Sequence, residues 1–315
     1  MAQRYQFYTA DVFTDRVFSG NPLAVFPWAE GLSTAQMHQV TREFNLSETV
    51  FVLPPENPQY TRRLRIFTPG REMAFAGHPT VGSAYVLAKI GELALDGPAT
   101  DFVFEEGVGP VPVTIYAEEG EPVSAQLSAA QLPEVGPEPP GNGDLAAMLS
   151  LEESDLLGGK WVPQALSCGT PFLFIPVRDR EALGRVRIDA ARWEALLSDY
   201  WTNDLYLFCF DPEREGSDLR ARMFAPGMGI GEDPATGAAA TALAGYLAAR
   251  DQRPVGTVRW VVEQGFEMGR PSIIEVEADV EGGGVTAVRV GGRSVMVSEG
   301  QMTVPAGWAS AGYAW

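Results

Sequence analysis

Cysteine and histidine are scarce in this 315-residue chain, with two of each: Cys168, Cys209, His38 and His78. So few rule out a disulfide scaffold and a Cys-rich zinc module. Both cysteines lie in largely apolar runs, which reads as buried free thiols. Long apolar stretches are missing too, and none approaches the roughly 18 residues of a membrane span. Met1 to Phe7 shows no basic region leading into an apolar one, so no secretory signal is visible and a cytoplasmic protein is expected. Positive charge is short: 23 basic residues stand against 41 acidic ones, a net charge of −18. A field of that sign disfavours nucleic acid and anionic membranes as partners. An acidic ligand still fits wherever helix N-termini and backbone amides supply local positive potential.

What is present is a globular composition, 45% hydrophobic and 20% charged, on a chain long enough for two domains. The most informative feature is internal similarity. Phe67-Thr68-Pro69-Gly70 recurs as Phe224-Ala225-Pro226-Gly227. His78-Pro79-Thr80-Val81-Gly82 is echoed by Asp233-Pro234-Ala235-Thr236-Gly237. Gly20-Asn21-Pro22-Leu23-Ala24-Val25-Phe26 matches Gly169-Thr170-Pro171-Phe172-Leu173-Phe174-Ile175, and Glu106-Gly107 matches Gln264-Gly265. The four matches keep their order at a nearly constant offset, as diverged halves should.

The Pro- and Gly-rich segment Pro133 to Gly143 reads as a linker between the halves. Domains over 1–130 and 145–292 are expected. The segment Val288 to Val304 reads as strand, turn, strand, and the chain from about 293 to 315 is a candidate to return to the first domain. Tyr5 to Phe13, Leu23 to Phe26, Thr49 to Leu53 and Arg62 to Phe67 are strand-like, and Ser33 to Asn45 is a helix with Ser33 as its N-cap. Ser83 to Ile90 and Ala238 to Ala249 are small-residue helices without a broad polar face, which marks them as buried. The fold class is therefore α+β: two pseudo-symmetric domains, each a mostly antiparallel sheet or barrel wrapped around a central helix.

The repeated strand–loop–helix motifs suit an anion. Proline is favoured at a helix start, glycine lets a ligand approach the backbone, and first-turn amides point outward with the helix dipole behind them. Two such ends facing across a cleft would grip a carboxylate or stabilise a developing enolate. Taken singly, each motif reads first as a helix cap; the repetition is what favours an anion site. His78 and Asp233 occupy matching places in the two motifs and are titratable; His38, inside its helix, is ordinary. Glu48, between a helix and an apolar strand, stands where acidic residues are usually solvated. Held near apolar neighbours, it would have a raised pKa and could act as base and then acid. Arg62, Arg63, Arg65 and Arg71 cluster near the first motif, with a solvated face as the default reading.

At these residues the chain resembles the PhzF-like family of phenazine-biosynthesis-type isomerases, which share the diaminopimelate epimerase fold. The resemblance is carried by Asp11-Val12-Phe13-Thr14, Gly20 to Val25, Asn45-Leu46-Ser47-Glu48-Thr49-Val50-Phe51, Phe67-Thr68-Pro69, Gly77-His78-Pro79-Thr80, Glu232 to Gly237, and Gln264-Gly265 with Met268 to Ser272. It implies a site between the two domains, no metal or organic cofactor, commonly a homodimer, and a small acidic metabolite as substrate. Glu48 matches the family's proton carrier, and His78 and Asp233 match its catalytic substrate-positioning groups. Gly77, Pro79, Gly237 and Ala238 fall at the substrate-binding helix ends. The family often has serine at the place of Ala238, so the hydroxyl of that serine is missing here.

The expected function is a cofactor-independent isomerase that moves a proton on a small carboxylated metabolite. It resembles trans-2,3-dihydro-3-hydroxyanthranilate isomerase. A one-carboxylate epimerase and a non-catalytic binding protein that kept the fold are the alternatives. A two-thiol racemase is disfavoured, because Cys168 and Cys209 fall outside both motifs.

Overall fold

The computed structural model of the chain describes residues 2–250 and 255–305. The first half runs β1 (Gln3–Val12), β2 (Asn21–Phe26), α1 (Thr34–Phe44), β3 (Glu48–Leu53), β4 (Arg62–Phe67), β5 (Glu72–Met73), α2 (Gly77–Lys89), β6 (Ala99–Glu106), β7 (Gly109–Glu118) and β8 (Glu121–Ser128). The second runs β9 (Glu134–Val135), α3 (Asn142–Met148), β10 (Gln164–Ser167), β11 (Pro171–Pro176), α4 (Arg180–Arg185), α5 (Ala190–Leu197), β12 (Leu205–Cys209), β13 (Leu219–Ala225), β14 (Ile230–Asp233), α6 (Gly237–Ala248), β15 (Gly256–Gln264), β16 (Ser272–Glu281) and β17 (Gly284–Val304). Among the described residues no helix is long and apolar enough to cross a membrane.

Both halves use one ladder pattern. In the first, β1 pairs antiparallel with β2, β2 parallel with β3, β3 antiparallel with β4 and β4 parallel with β6, and β6, β7 and β8 continue antiparallel. In the second, β10, β11, β12, β13, β15, β16 and β17 repeat the same alternation. A parallel step needs a crossover, and the helices supply it. The crossovers through α2 and α6 are buried along almost their whole length, as helices without a polar face must be. The crossover through α1 covers the outside of the first half, where Phe26 stacks on Phe51 and Phe67 meets Phe51 edge to face. The helices α3, α4 and α5 cover a second apolar layer on the other half.

The last strand stitches the halves together. Along its length β17 pairs with β16, then β8, then β1. The pairings β1–β2–β3–β4–β6–β7–β8–β17–β1 thereby close a barrel around α2. The turn expected within Val288 to Val304 is absent. Gly291 and Gly292 continue the strand because neighbours press on them: a Cβ on Gly291 would stand 2.6 Å from Ala125 O, and one on Gly292 2.8 Å from the Phe13 ring. The expected linker is also partly built into the sheet, since Glu134 and Val135 pair with Ser167 and Leu166. Residues 306–315 of the expected C-terminal return lie outside the described residues.

Beneath the start of α2 sits Glu106, only 6% exposed. The Thr80 hydroxyl lies 2.6 Å from Glu106 Oε1 and 2.8 Å from Ala76 O. That hydroxyl carries one proton, so both contacts are hydrogen bonds only if Glu106 is protonated. Burial pushes the Glu106 carboxyl up to about 8, against the opposing hydrogen bond from Thr80. Its folded pKa thus lies above its unfolded value, and the stability it confers at low pH is lost as pH rises from about 4.5 through about 8. Glu106→Gln keeps both contacts without titrating, and its repeat counterpart Gln264 already donates to Thr236 Oγ1 at 2.9 Å. The variant is expected to melt several degrees above the wild type at pH 8 and close to it at pH 5, at roughly 2–4 °C per kcal/mol. Equal differences at both pH values would show that Glu106 does not titrate in that window.

Candidate active site

Glu48 is placed by the way α1 ends. Ser33 and Gln36 form a capping box at its start, and Asn45, left-handed at φ 50°, closes it by donating to Thr41 O. The chain then turns through Leu46 and Ser47, and Glu48 opens β3 opposite Leu23 of β2. Side chains alternate along a strand, so Glu48 shares a face with Val50 and Val52. Those two belong to the core around α2, whereas Phe51 faces the layer under α1. Glu48 is therefore aimed at the N-terminus of α2, where His78 is the second helical residue.

The structure brings Glu48, His78 and Asp233 together. Glu48 Oε2 lies 3.3 Å from His78 Nε2, with the two side chains 14% and 5% exposed. Asp233 ends β14 and accepts hydrogen bonds from Asn21 Nδ2 at 3.0 Å and Thr236 Oγ1 at 2.6 Å. The three groups titrate differently because their surroundings differ. Burial, and then the charge of Asp233, pushes Glu48 up to about 8. Burial alone pulls His78 down to about 3, so its imidazole is neutral near pH 7. Burial raises Asp233 only to about 6, because hydrogen bonds from Thr236, Asn21, Ser47 and Ala235 oppose it. Near neutrality Asp233 is ionised while Glu48 is poised to gain or lose a proton. Separated carboxylates of this kind divide acid and base roles.

The two central helices meet at their N-termini. A Cβ on Gly77 would lie 2.8 Å from Ala238 N, and one on Gly237 3.2 Å from His78 N. Neither helix start carries a side-chain cap. The first-turn amides of two helices, including those of Gly77, His78, Gly237 and Ala238, are therefore gathered at one place, with both dipoles directed there. Pro79 adds no N–H to this set and fits the first turn for that reason. This is a geometry for holding a carboxylate or a developing oxyanion.

The register revises the matching of His78 with Asp233. Ile66 pairs with Met73, and Met223 pairs with Asp233. Asp233 thus corresponds to Met73, while His78 corresponds to Ala238, because α2 and α6 start at Gly77 and Gly237. The hairpin between β13 and β14 is longer than that between β4 and β5, which slides the motifs past each other. The duplicated element is the pair of helix starts, and the titratable groups are particular to each half.

A cleft of about 660 Å³ lies between the halves, with residues 45–47 and 68–71 on one wall and 203–204 and 227–230 on the other. Of the four arginines near the first motif, Arg71 lines it. Arg62, Arg63 and Arg65 instead pair with Glu92, Glu56 and Glu72. Two residues of the site went unassigned in the sequence. Asn21 bridges the halves by donating to both Asp233 and Ala235 O, and Ser47 hydrogen-bonds Asp233 while lining the cleft. Asn21 stands inside a duplicated segment and Ser47 directly before Glu48, and these positions are the available signal. His38 stays apart, with its ring 3.0 Å from Pro69 O. Burial pushes the Cys168 thiol up to about 12 and the Cys209 thiol up to about 11, as expected of inert core cysteines. Among the described residues no group of three His, Cys, Asp or Glu side chains is arranged to hold a metal ion.

Comparison with known proteins gives consistent findings. A family model described as phenazine biosynthesis-like protein matches residues 10–300. An uncharacterized isomerase of Mesorhizobium japonicum is 42% identical over 93% of this chain and 97% of its own length. The trans-2,3-dihydro-3-hydroxyanthranilate isomerase of Pseudomonas aeruginosa is 33% identical over 94% of this chain and 99% of its own. Among solved structures, a Bacillus anthracis phenazine biosynthesis protein of the PhzF family superposes with a TM-score of 0.86 at 26% identity. That match covers 95% of this chain and 99% of the other.

Proposed function

This chain belongs to the phenazine biosynthesis-like protein family and is an isomerase, and we propose that it works by moving a proton on a small carboxylated, cyclic metabolite with Glu48 as the carrier. The observation that carries this reading is the placement of Glu48 on the inner face of β3, 3.3 Å from His78 and within reach of the Asp233 charge, beside two facing helix starts. In this scheme the ionised Glu48 takes a proton from a ring carbon. The electrons left behind spread toward the substrate carboxylate, whose oxygens are held by the amides of Gly77, His78, Gly237 and Ala238. Glu48, whose side chain is 14% exposed, exchanges that proton with solvent and then delivers a proton to a different carbon. Neutral His78 stands beside the Glu48 carboxyl without adding a positive charge, and ionised Asp233 keeps its basicity high. Binding needs no basic side chain at the reacting carbon, in keeping with the acidic composition of the chain.

The substrate of the Pseudomonas aeruginosa relative, trans-2,3-dihydro-3-hydroxyanthranilate, is the first compound to try. Ala238 provides no hydroxyl to it, so a close carboxylated analogue serves as the second. Incubation of each with the protein in deuterated water is expected to give one deuterium at a carbon that gains hydrogen as the double bonds move. Deuterium at the original carbon with inversion there would favour an epimerase. No incorporation into a compound that binds would sink the proton-carrier reading.

A further inference from the structure

The strand register identifies a second-half counterpart of Glu48 that no sequence motif reveals. Thr49 pairs with Ala24 and Phe67, and Leu205 pairs with Leu173 and Phe224. Ala24 matches Leu173 and Phe67 matches Phe224 in the duplication, so Thr49 corresponds to Leu205. The residue before each is acidic: Glu48 in the first half, Asp204 in the second.

Asp204 is fixed in place yet has a carboxylate oxygen to spare. Its N–H donates to Thr202 Oγ1 at 3.2 Å, and its carbonyl accepts from Leu173 N at 2.9 Å. The residue is only 7% exposed, and its Oδ1 is buried with no hydrogen-bond partner. Buried polar atoms are nearly always satisfied, and this one leaves an acceptor position open beside the cleft. The side chain lies in the wall of the interdomain cleft, with Asn203 and Met228 beside it and Ser47 and Arg71 on the wall opposite. Arg71 makes no ion pair among the described residues. Its guanidinium contacts Met228 Sδ at 3.8 Å. The cleft therefore has a cation on the first half and an anion on the second. Burial raises the Asp204 carboxyl to about 6 while the charge of Arg71 opposes the rise, which leaves it largely ionised near neutral pH.

We propose that Asp204 is a specificity-determining residue: it accepts a hydrogen bond from an amino group on the substrate and so selects amine-bearing carboxylates over their deamino analogues. The assignment rests on reading the cleft as the substrate site. An amine suits this acceptor because it brings more than one N–H donor, and a protonated amine also brings the opposite charge. Asp204 has no role in proton transfer in this scheme. The duplication has left one acidic strand entry to carry the proton and the other to read the substrate.

The test uses binding, so that it does not depend on turnover. The full-length protein is titrated calorimetrically with 3-hydroxyanthranilate and with 3-hydroxybenzoate, two aromatic carboxylates that differ only in the ring amine. The wild type is expected to bind the amine-bearing compound about tenfold more tightly or better. Asp204→Ala should bring the two affinities to within about twofold of each other. Asp204→Asn, which keeps the size and one acceptor oxygen, should fall between; thermal melting checks that both variants are folded. A wild type without preference, a wild type that binds neither compound, or variants that keep the wild-type ratio would each overturn the proposal. Glu48→Gln should keep the ratio while losing deuterium exchange. Should it keep exchanging, the role given to Glu48 fails while the ratio still decides the role of Asp204.

Discussion

Replacement of Glu48 by Gln is expected to lower turnover by about 10²–10⁴-fold while the protein stays folded. The substitution preserves shape and leaves an amide 3.3 Å from neutral His78, where the carboxyl now lies. It removes a buried group whose ionisation folding opposes, so the melting temperature near pH 8 should hold or rise. Only the proton-carrying capacity is lost. The wild-type pH profile checks the same assignment from another side. A base must be ionised to act, and Glu48 is held at about 8 by burial and by the charge of Asp233. The kcat/KM of the wild type should therefore climb with pH from about 6, by up to about tenfold per unit, and level off above about 8. Turnover followed by nuclear magnetic resonance across that range reads both effects. A variant within tenfold of the wild type would remove Glu48 from the chemistry. A profile that falls across the same window would mean that the protonated form is the active one.

The parts of this arrangement differ in how openly the sequence displays them, for physical reasons. The central helices are legible because burial on every side forces small and apolar residues on every face, as in Ala239 to Ala244. The duplication is legible wherever a turn or helix start restricts the residue type, as at Phe67 to Gly70 and Phe224 to Gly227. The kinship of Glu48 and Asp204 is not legible, because register and not residue identity carries it. The matching of His78 with Asp233 misleads for the opposite reason. Two prolines near two helix starts look alike, while the hairpin before them has changed length. Gly291 and Gly292 suggest an interruption because glycine serves both turns and close contacts, and only the neighbours Ala125 and Phe13 decide between the two. The role of Glu48 is not legible in composition, because its surroundings come from the fold: an inward-facing place on β3, with His78 3.3 Å away and the Asp233 charge within reach.

Gly77→Ala is expected to reduce kcat/KM by about 10²-fold with little loss of thermal stability. The new Cβ would stand 2.8 Å from Ala238 N and 2.9 Å from Gly237 Cα, which are backbone atoms of the opposing helix and cannot rotate away. The helix starts must then move apart by several tenths of an ångström, carrying His78 and the gathered amides with them. Misplacement on the scale of 1 Å can cost about 10² in rate when the site acts by positioning. Stability responds less, because alanine loses less backbone freedom on folding than glycine does, which offsets part of the strain. Gly237→Ala sets up a milder conflict, with its nearest contacts at 3.2 Å, so its loss of activity should be smaller. Steady-state kinetics and melting curves on the two variants test the order as well as the size of the effect. Full activity in Gly77→Ala, or a larger loss in Gly237→Ala, would show that the close approach of the two helix starts is a packing feature and not the means by which the substrate carboxylate is held.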